Sequence, residues 1–259
     1  MEAGNIIISP AWRKSKEDIW NEVFSGLQEK PIRIDVQQKM IWRYLAAAVV
    51  FAAIALATTA YFYTENIVIP RGEHASVTLP DGSRIEINAD SRLSYKPLWW
   101  RVSRDVKLTG EAFFEVAQGS TFRVISPQAT VSVLGTEFNV FSRDDKYTIT
   151  CLSGKVKVSN ELQVSLLDPG MQASIEENTL TTYAVADAAQ SVGWVTNNFF
   201  FIGVPLNEVI AEIERQYNIE IDRNTELNDL YTGNFSKSKD IQTVLEIVGK
   251  PFGITLKMK

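Results

Sequence analysis

Apolar positions follow different codes along this chain, and each code predicts a different kind of element. From Tyr44 to Tyr63 no side chain is charged, and every residue from Ala46 to Ala57 is alanine, valine, leucine, isoleucine or phenylalanine. At 1.5 Å per residue the run spans about 30 Å, the hydrocarbon thickness of a bilayer, and predicts a membrane-spanning helix over 44–63. Trp42, Tyr44, Tyr61 and Tyr63 stand at its ends, where rings with one polar edge suit the headgroup layer. Before it, Trp12, Ile19, Trp20, Val23, Phe24 and Leu27 form an apolar stripe on a helix starting near Ser15, punctuated by Gly26 and Pro31. One helix cannot bury such a stripe by itself. The membrane surface and a protein partner both fit it.

Beyond the span the code becomes alternation. Ala75 to Leu79, a turn at Pro80-Asp81-Gly82-Ser83 and Arg84 to Asn88 read as a hairpin. Short strands follow at Leu93–Tyr95, Val106–Leu108, Ala112–Val116, Phe122–Ile125, Thr130–Leu134, Glu137–Phe141, Tyr147–Leu152, Lys155–Val158, Val164–Leu166 and Gln172–Ile175. So many short strands with no helix between them predict an all-β domain, either a β-sandwich or β-solenoid-like. After Trp194 the code changes again. Phe199–Phe201 reads as a strand, then a helix carries Leu206, Val209, Ile210 and Ile213, and Asn218–Ile221 is a strand. Tyr231–Phe235, a helix over Lys239–Val248 and Ile254–Met258 repeat that order, predicting a small α/β sandwich of βαβ-βαβ type. The expected organisation is a short cytoplasmic helical segment (1–43), the span (44–63), a linker (64–71), the β domain (72–185) and the α/β domain (194–259).

Charge sets the expected orientation. Lys39 and Arg43 directly precede the span, with Lys30 and Arg33 further back, whereas Glu65, Arg71, Glu73 and Asp81 follow it. The basic excess places the N-terminal segment in the cytoplasm and the large C-terminal part outside. A cleaved signal peptide does not fit, because the run begins late and Tyr61-Phe62-Tyr63 offers no small-residue cleavage site. The net charge of -5 carries no nucleic-acid footprint. A single cysteine, Cys151, excludes a disulfide scaffold, and its strand setting reads as a buried small hydrophobe. A single histidine, His74, excludes histidine-rich metal sites.

Few residues are placed for chemistry. Glu111 and Glu115 fall on one side of an extended strand but about 13 Å apart, too far for paired-carboxylate hydrolysis. Asp81, Asp90, Asp105, Asp144 and Asp145 sit in expected turns. Neither a phosphate-binding glycine loop nor a nucleophile elbow is present. We expect no enzymatic activity, no cofactor and no metal site. Trp99, Trp100 and Arg101 read equally as a contact patch or as core.

The motifs Arg71-Gly72-Glu73, Val77-Thr78-Leu79-Pro80-Asp81-Gly82-Ser83, Asn88-Ala89-Asp90-Ser91-Arg92-Leu93, Leu108-Thr109-Gly110-Glu111-Ala112-Phe113-Phe114-Glu115-Val116-Ala117, Val133-Leu134-Gly135-Thr136-Glu137-Phe138-Asn139-Val140, Leu152-Ser153-Gly154-Lys155-Val156 and Pro169-Gly170-Met171-Gln172-Ala173 occur in this order. Together they resemble the FecR family of single-pass sigma-factor regulators. Phe199-Phe200-Phe201, Pro205-Leu206, Glu208-Val209-Ile210, Glu214-Arg215-Gln216-Tyr217 and Gly233-Asn234-Phe235-Ser236 resemble the C-terminal domain of Bacteroidota members, akin to the secretin and TonB-receptor N-terminal fold.

The resemblance implies an anti-sigma factor that relays a signal from the signalling domain of an outer-membrane TonB-dependent receptor to an extracytoplasmic-function sigma factor. It makes Trp12, Trp20 and Phe24 candidate sigma-factor contacts. Phe199, Phe200, Phe201, Tyr231 and Phe235 become candidate receptor contacts, with interior packing as the rival reading for those strands. The segment before the span is shorter than the helical bundle the family places there and resembles only its membrane-proximal end. A shortened regulator, another use of the helix and an upstream start all fit that difference. The alternative function is an inner-membrane-tethered periplasmic scaffold or glycan-binding protein without sigma-factor control.

Overall fold

The computed structural model describes residues 13–26, 36–143, 146–222, 229–237 and 240–259, with backbone alone for 36–39. Trp12, Leu27, Asp144 and Asp145 lie outside the described residues. The chain divides into two compact units, Met1–Ala55 and Leu56–Lys259.

Helix α1 (Lys16–Phe24) begins where a capping box closes it: Ser15 Oγ accepts from Asp18 N at 3.0 Å and Asp18 accepts from Ser15 N at 3.2 Å. Ile19, Trp20, Val23 and Phe24 are exposed, and the Trp20 and Phe24 rings meet one turn apart, 4.2 Å between centres and tilted by 33°. Helix α2 (Val36–Phe62) contains Met40–Phe62, a stretch of mean hydropathy 2.1 that is long and apolar enough to cross a bilayer.

Thirteen strands follow: β1 (Glu65–Ile69), β2 (Ala75–Thr78), β3 (Arg84–Ile87), β4 (Ser91–Tyr95), β5 (Arg104–Glu115), β6 (Phe122–Ile125), β7 (Thr130–Val133), β8 (Glu137–Arg143), β9 (Lys146–Ser153), β10 (Val156–Ser159), β11 (Val164–Leu167), β12 (Met171–Glu176) and β13 (Thr179–Ala184). The expected linker at 64–71 instead carries β1, which pairs antiparallel with β4 from Glu65↔Tyr95 to Ile69↔Ser91. Its alternation is masked in the sequence by the adjoining apolar span. β13 was likewise unforeseen, since only Leu180 of its six residues is buried.

The two strands expected at 106–108 and 112–116 are one. The N-terminal half of β5 pairs with β4 and β6, and its C-terminal half with β3 and β8. It thus belongs to two strand runs, β1-β4-β5-β6-β7-β10-β11 and β2-β3-β5-β8-β9-β12-β13. Gly110 stands at the changeover with φ 109°, where an added Cβ would lie 2.4 Å from Ser91 Oγ and 2.7 Å from Ser91 Cα. Both runs feed one core, in which Leu108, Phe122 and Val156 from the first meet Phe114, Phe138 and Ile149 from the second. Cys151 is fully buried there, and burial pushes its thiol up to about 11. Gly110→Ala combines a positive φ with a backbone clash, so urea denaturation should show a loss of about 1–3 kcal/mol.

A second core is built from β14 (Asn198–Pro205), α3 (Leu206–Tyr217), β15 (Leu230–Ser236) and α4 (Ile241–Gly249), preceded by a 3-10 segment at Ala188–Thr196 that the sequence reading did not foresee. β14 and β15 pair antiparallel, with a bulge between Phe201 and Val204 where Gly203 takes φ 61°. The strands expected at 218–221 and 254–258 shrink to a single pair, Ile221↔Met258, held by Asp222 N to Lys257 O at 2.8 Å and Lys259 N to Glu220 O at 2.9 Å. Left-handed Asn218 and Gly253 turn the chain at each entry and leave too few extended residues for a ladder.

Candidate functional site

Strand alternation places Glu111, Phe113 and Glu115 on the outer face of β5, with Asn139, Phe141 and Arg143 beside them on β8. The second core covers part of this face. Phe113 packs against it, Glu111 is buried, and Glu115 stays exposed. The carboxylates are therefore in different environments, and paired catalysis has no geometry here.

Around Glu111 the seam is polar. Its Oε2 accepts from Asn88 Nδ2 at 2.7 Å and its Oε1 from Asn139 Nδ2 at 2.8 Å. Gln216 on α3 bridges the two parts, donating from Nε2 to Asn88 Oδ1 at 2.7 Å and to Glu212 Oε1 at 2.8 Å. His74 Nε2 lies 2.8 Å from Gln216 Oε1, and its ring meets Trp194 edge-on. Arg215 chelates Glu212 through Nε and Nη2 at 3.0 and 2.8 Å, while Gly72 N donates to Arg215 O at 2.7 Å. Arg143 donates to Asp90 O and Ala89 O at 2.7 and 2.6 Å. These bonds tie the Gly72–His74 and Asn88–Ser91 turns to α3.

Three buried charges, Glu111, Glu212 and Arg143, thus share the seam with the half-buried Arg215. Burial, with the Glu212 charge behind it, pushes the Glu111 carboxyl up to about 7 against the pull of Arg143 and the two asparagine amides. Burial opposes ionisation of Glu212 as well, but Arg215 and Arg143 outweigh it and hold that carboxyl below its ordinary value. Burial also lowers the pKa of His74, against the Gln216 hydrogen bond.

Beside the seam, the outer face of β8, β9 and β12 and the chain of β14 and α3 enclose a cleft of about 490 Å³. Phe141, Thr148, Gln172, Phe200 and Phe201 line it, and Lys146 and Glu208 form an ion pair across it. Of the candidate receptor contacts, Phe199, Tyr231 and Phe235 are buried in the second core and Phe201 is half-buried, stacked on Phe235. Phe200 alone is exposed, at 39%. Ile202 and Leu230, which the sequence reading did not select, present larger exposed apolar side chains on the same two strands. Ile202 lies two residues after exposed Phe200, on the same side of β14, where the bulge begins. Trp20 and Phe24 lie on the exposed stripe of α1.

The FecR protein family matches residues 65–157, and the family described as FecR, C-terminal, matches residues 198–259. Two crystal structures of a candidate anti-sigma factor from Parabacteroides distasonis ATCC 8503, at 2.50 and 1.65 Å resolution, resemble this chain with 32% identity and a TM-score of 0.69. The matches cover 74% of this chain and 93% of the first, and 73% and 92% for the second. No curated protein matches the chain.

Proposed function

We propose that this chain, which belongs to the FecR family, is a membrane-bound regulator of a sigma factor and works without enzymatic activity. The likeness to the Parabacteroides anti-sigma factor, over nearly the whole of that chain, carries the reading. In it, α2 crosses the inner membrane once, with Lys39 and Arg43 on the cytoplasmic side and the β and α/β domains in the periplasm. The exposed stripe of α1 meets an extracytoplasmic-function sigma factor, and the C-terminal domain meets the signalling domain of a TonB-dependent receptor. Phe200 and the outer edges of β14 and β15, which pair with no other strand among the described residues, are the surfaces offered to that partner, because the other named rings are used in the core.

Crosslinking the intact chain in membranes and identifying both captured partners tests the relay. Recovery of neither partner under inducing conditions would sink it. The α1 contact has its own test. Trp20→Asp with Phe24→Asp removes the touching ring pair from an exposed surface, so it should change target-gene transcription several-fold while membrane insertion stays the same. Unchanged transcription would refute the contact.

A further inference from the structure

The loop after β4 presents apolar side chains on the surface. Leu98 is 60% exposed and Val102 69% exposed. The loop is nonetheless held in shape. Trp100 is buried and meets Tyr95 and Phe122 edge-on at 5.7 and 5.8 Å, while Val102 N and Ser103 N both donate to Trp99 O at 2.9 and 3.1 Å. The adjacent tryptophans therefore split their work, Trp100 anchoring the loop in the core and Trp99 half-buried at its margin.

Strand register fixes where the loop stands. β1 starts just beyond the end of α2 and pairs Glu65 with Tyr95, so the loop runs back alongside the last turn of the helix. There the Trp99 and Tyr61 rings meet edge-on at 5.5 Å, and Lys96 Nζ lies 4.0 Å from the centre of the Tyr61 ring. Tyr61 is in the final turn of the apolar helix, at the level where a span of about 30 Å gives way to headgroups. An exposed leucine and valine and a half-buried tryptophan, with Lys96 and Arg101 beside them, are the composition of an interfacial contact: apolar groups for the acyl boundary and cations for lipid phosphate.

We propose that Pro97–Val102 docks on the bilayer surface reached by the C-terminal end of α2, inserting Leu98, Val102 and the edge of Trp99 at the headgroup–acyl boundary. Two or three apolar side chains would hold a free domain weakly. Here the helix already confines the loop to the surface, so the contact forms at high effective concentration and sets the tilt of the β domain. The inference rests on α2 spanning the membrane.

The buried Cys151 thiol leaves a cysteine introduced at an exposed position as the reactive one. The full chain carrying Leu98→Cys, Val102→Cys or, as a control on the exposed β10–β11 turn, Leu162→Cys is labelled with an environment-sensitive fluorophore. Each is placed in phosphatidylcholine vesicles containing lipid nitroxides near the headgroup or deep in the acyl chain. Probes at 98 and 102 should shift to the blue and lose emission to the shallow nitroxide more than to the deep one, and the probe at 162 to neither. A rise in quenching with phosphatidylglycerol assigns anionic headgroups to Lys96 and Arg101; equal quenching without it assigns zwitterionic phosphate. The proposal falls if probes at 98 and 102 are quenched no more than the probe at 162 in vesicles that retain the chain through alkaline carbonate. It falls too if their blue shift tracks protein density without quenching, which would identify a second copy as the occupant. Extraction of the chain by carbonate would instead overturn the span itself, a separate result.

Discussion

Replacing Arg104 with methionine should cost the β domain about 3–5 kcal/mol, read as a lower urea midpoint with little change in slope. The guanidinium is almost enclosed, with 7% of its side chain exposed against 16% for its partner Asp81. Its Nε donates to Asp81 Oδ2 at 2.7 Å, Nη1 to Ser120 O at 2.6 Å and Nη2 to Ala117 O at 2.9 Å. Methionine fills part of the space but leaves a half-buried carboxylate without its cation, held by Ser83, and takes the guanidinium donor from two carbonyls. Arg104→Met and Asp81→Asn together should cost less than the sum of the two, because the second change removes the orphaned charge.

The acid limb of the stability profile gives an independent check. Burial alone would raise the Asp81 pKa, but the Ser83 N–H and Arg104 outweigh it and hold the carboxyl below its ordinary value. A depressed native pKa contributes stability that is present above the unfolded value and lost as pH falls through the native one. Arg104→Met should therefore flatten the loss of stability at acid pH. An unchanged acid limb would mean that the pair contributes nothing.

The Asp81 turn illustrates what the sequence made legible. Pro80-Asp81-Gly82-Ser83 announces a tight turn by residue type, and Gly82 takes φ 86° as such a turn requires. What the turn residues do for the rest of the fold was hidden, since Arg104 reaches Asp81 from more than twenty positions away. The same division runs through the molecule. Alternation located most strands, because each has one face on the core, but it was silent on β13, whose faces are largely wet. It also could not show that Gly110 bends one strand through two runs instead of ending it.

At the candidate site the contrast is sharper. Periodicity identified Leu206, Val209, Ile210 and Ile213 as one buried stripe of α3, and all four are core. Glu212 and Gln216 are buried as well, on the face of the helix that meets the β domain, whereas buried Glu214 accepts from Ile221 N within its own domain. A polar residue buried against another domain has no local signature, so the seam could be found only in three dimensions. The aromatic runs misled for the related reason that residue type marks burial more reliably than contact. Trp100, Phe199, Tyr231 and Phe235 proved to be core, while of their sequence neighbours Trp99 is half-buried against Tyr61 and Phe200 is exposed at the cleft.

Arg143→Met should loosen the seam by about 3–5 kcal/mol, with faster amide exchange in α3 while the β core stays protected. The change removes the cation facing two buried carboxylates and strips Asp90 O and Ala89 O of their donor. Glu111→Gln should act in the opposite sense, and only at the right pH. With its native pKa raised from 4.5 to about 7, Glu111 favours the docked state at acid pH and contributes progressively less as pH rises through that window. His74, with its pKa lowered by burial, acts oppositely below its ordinary value of 6.5, where protonation opposes docking. Glutamine in place of Glu111 cannot ionise, and its amide nitrogen can donate to Asn139 Oδ1, a buried acceptor that otherwise lacks a donor, once the Asn139 amide turns over. Protection of α3 in Glu111→Gln should therefore match the parent at pH 5 and exceed it at pH 8. Equal protection at both values would show that Glu111 is ionised throughout and that Arg143 neutralises it fully.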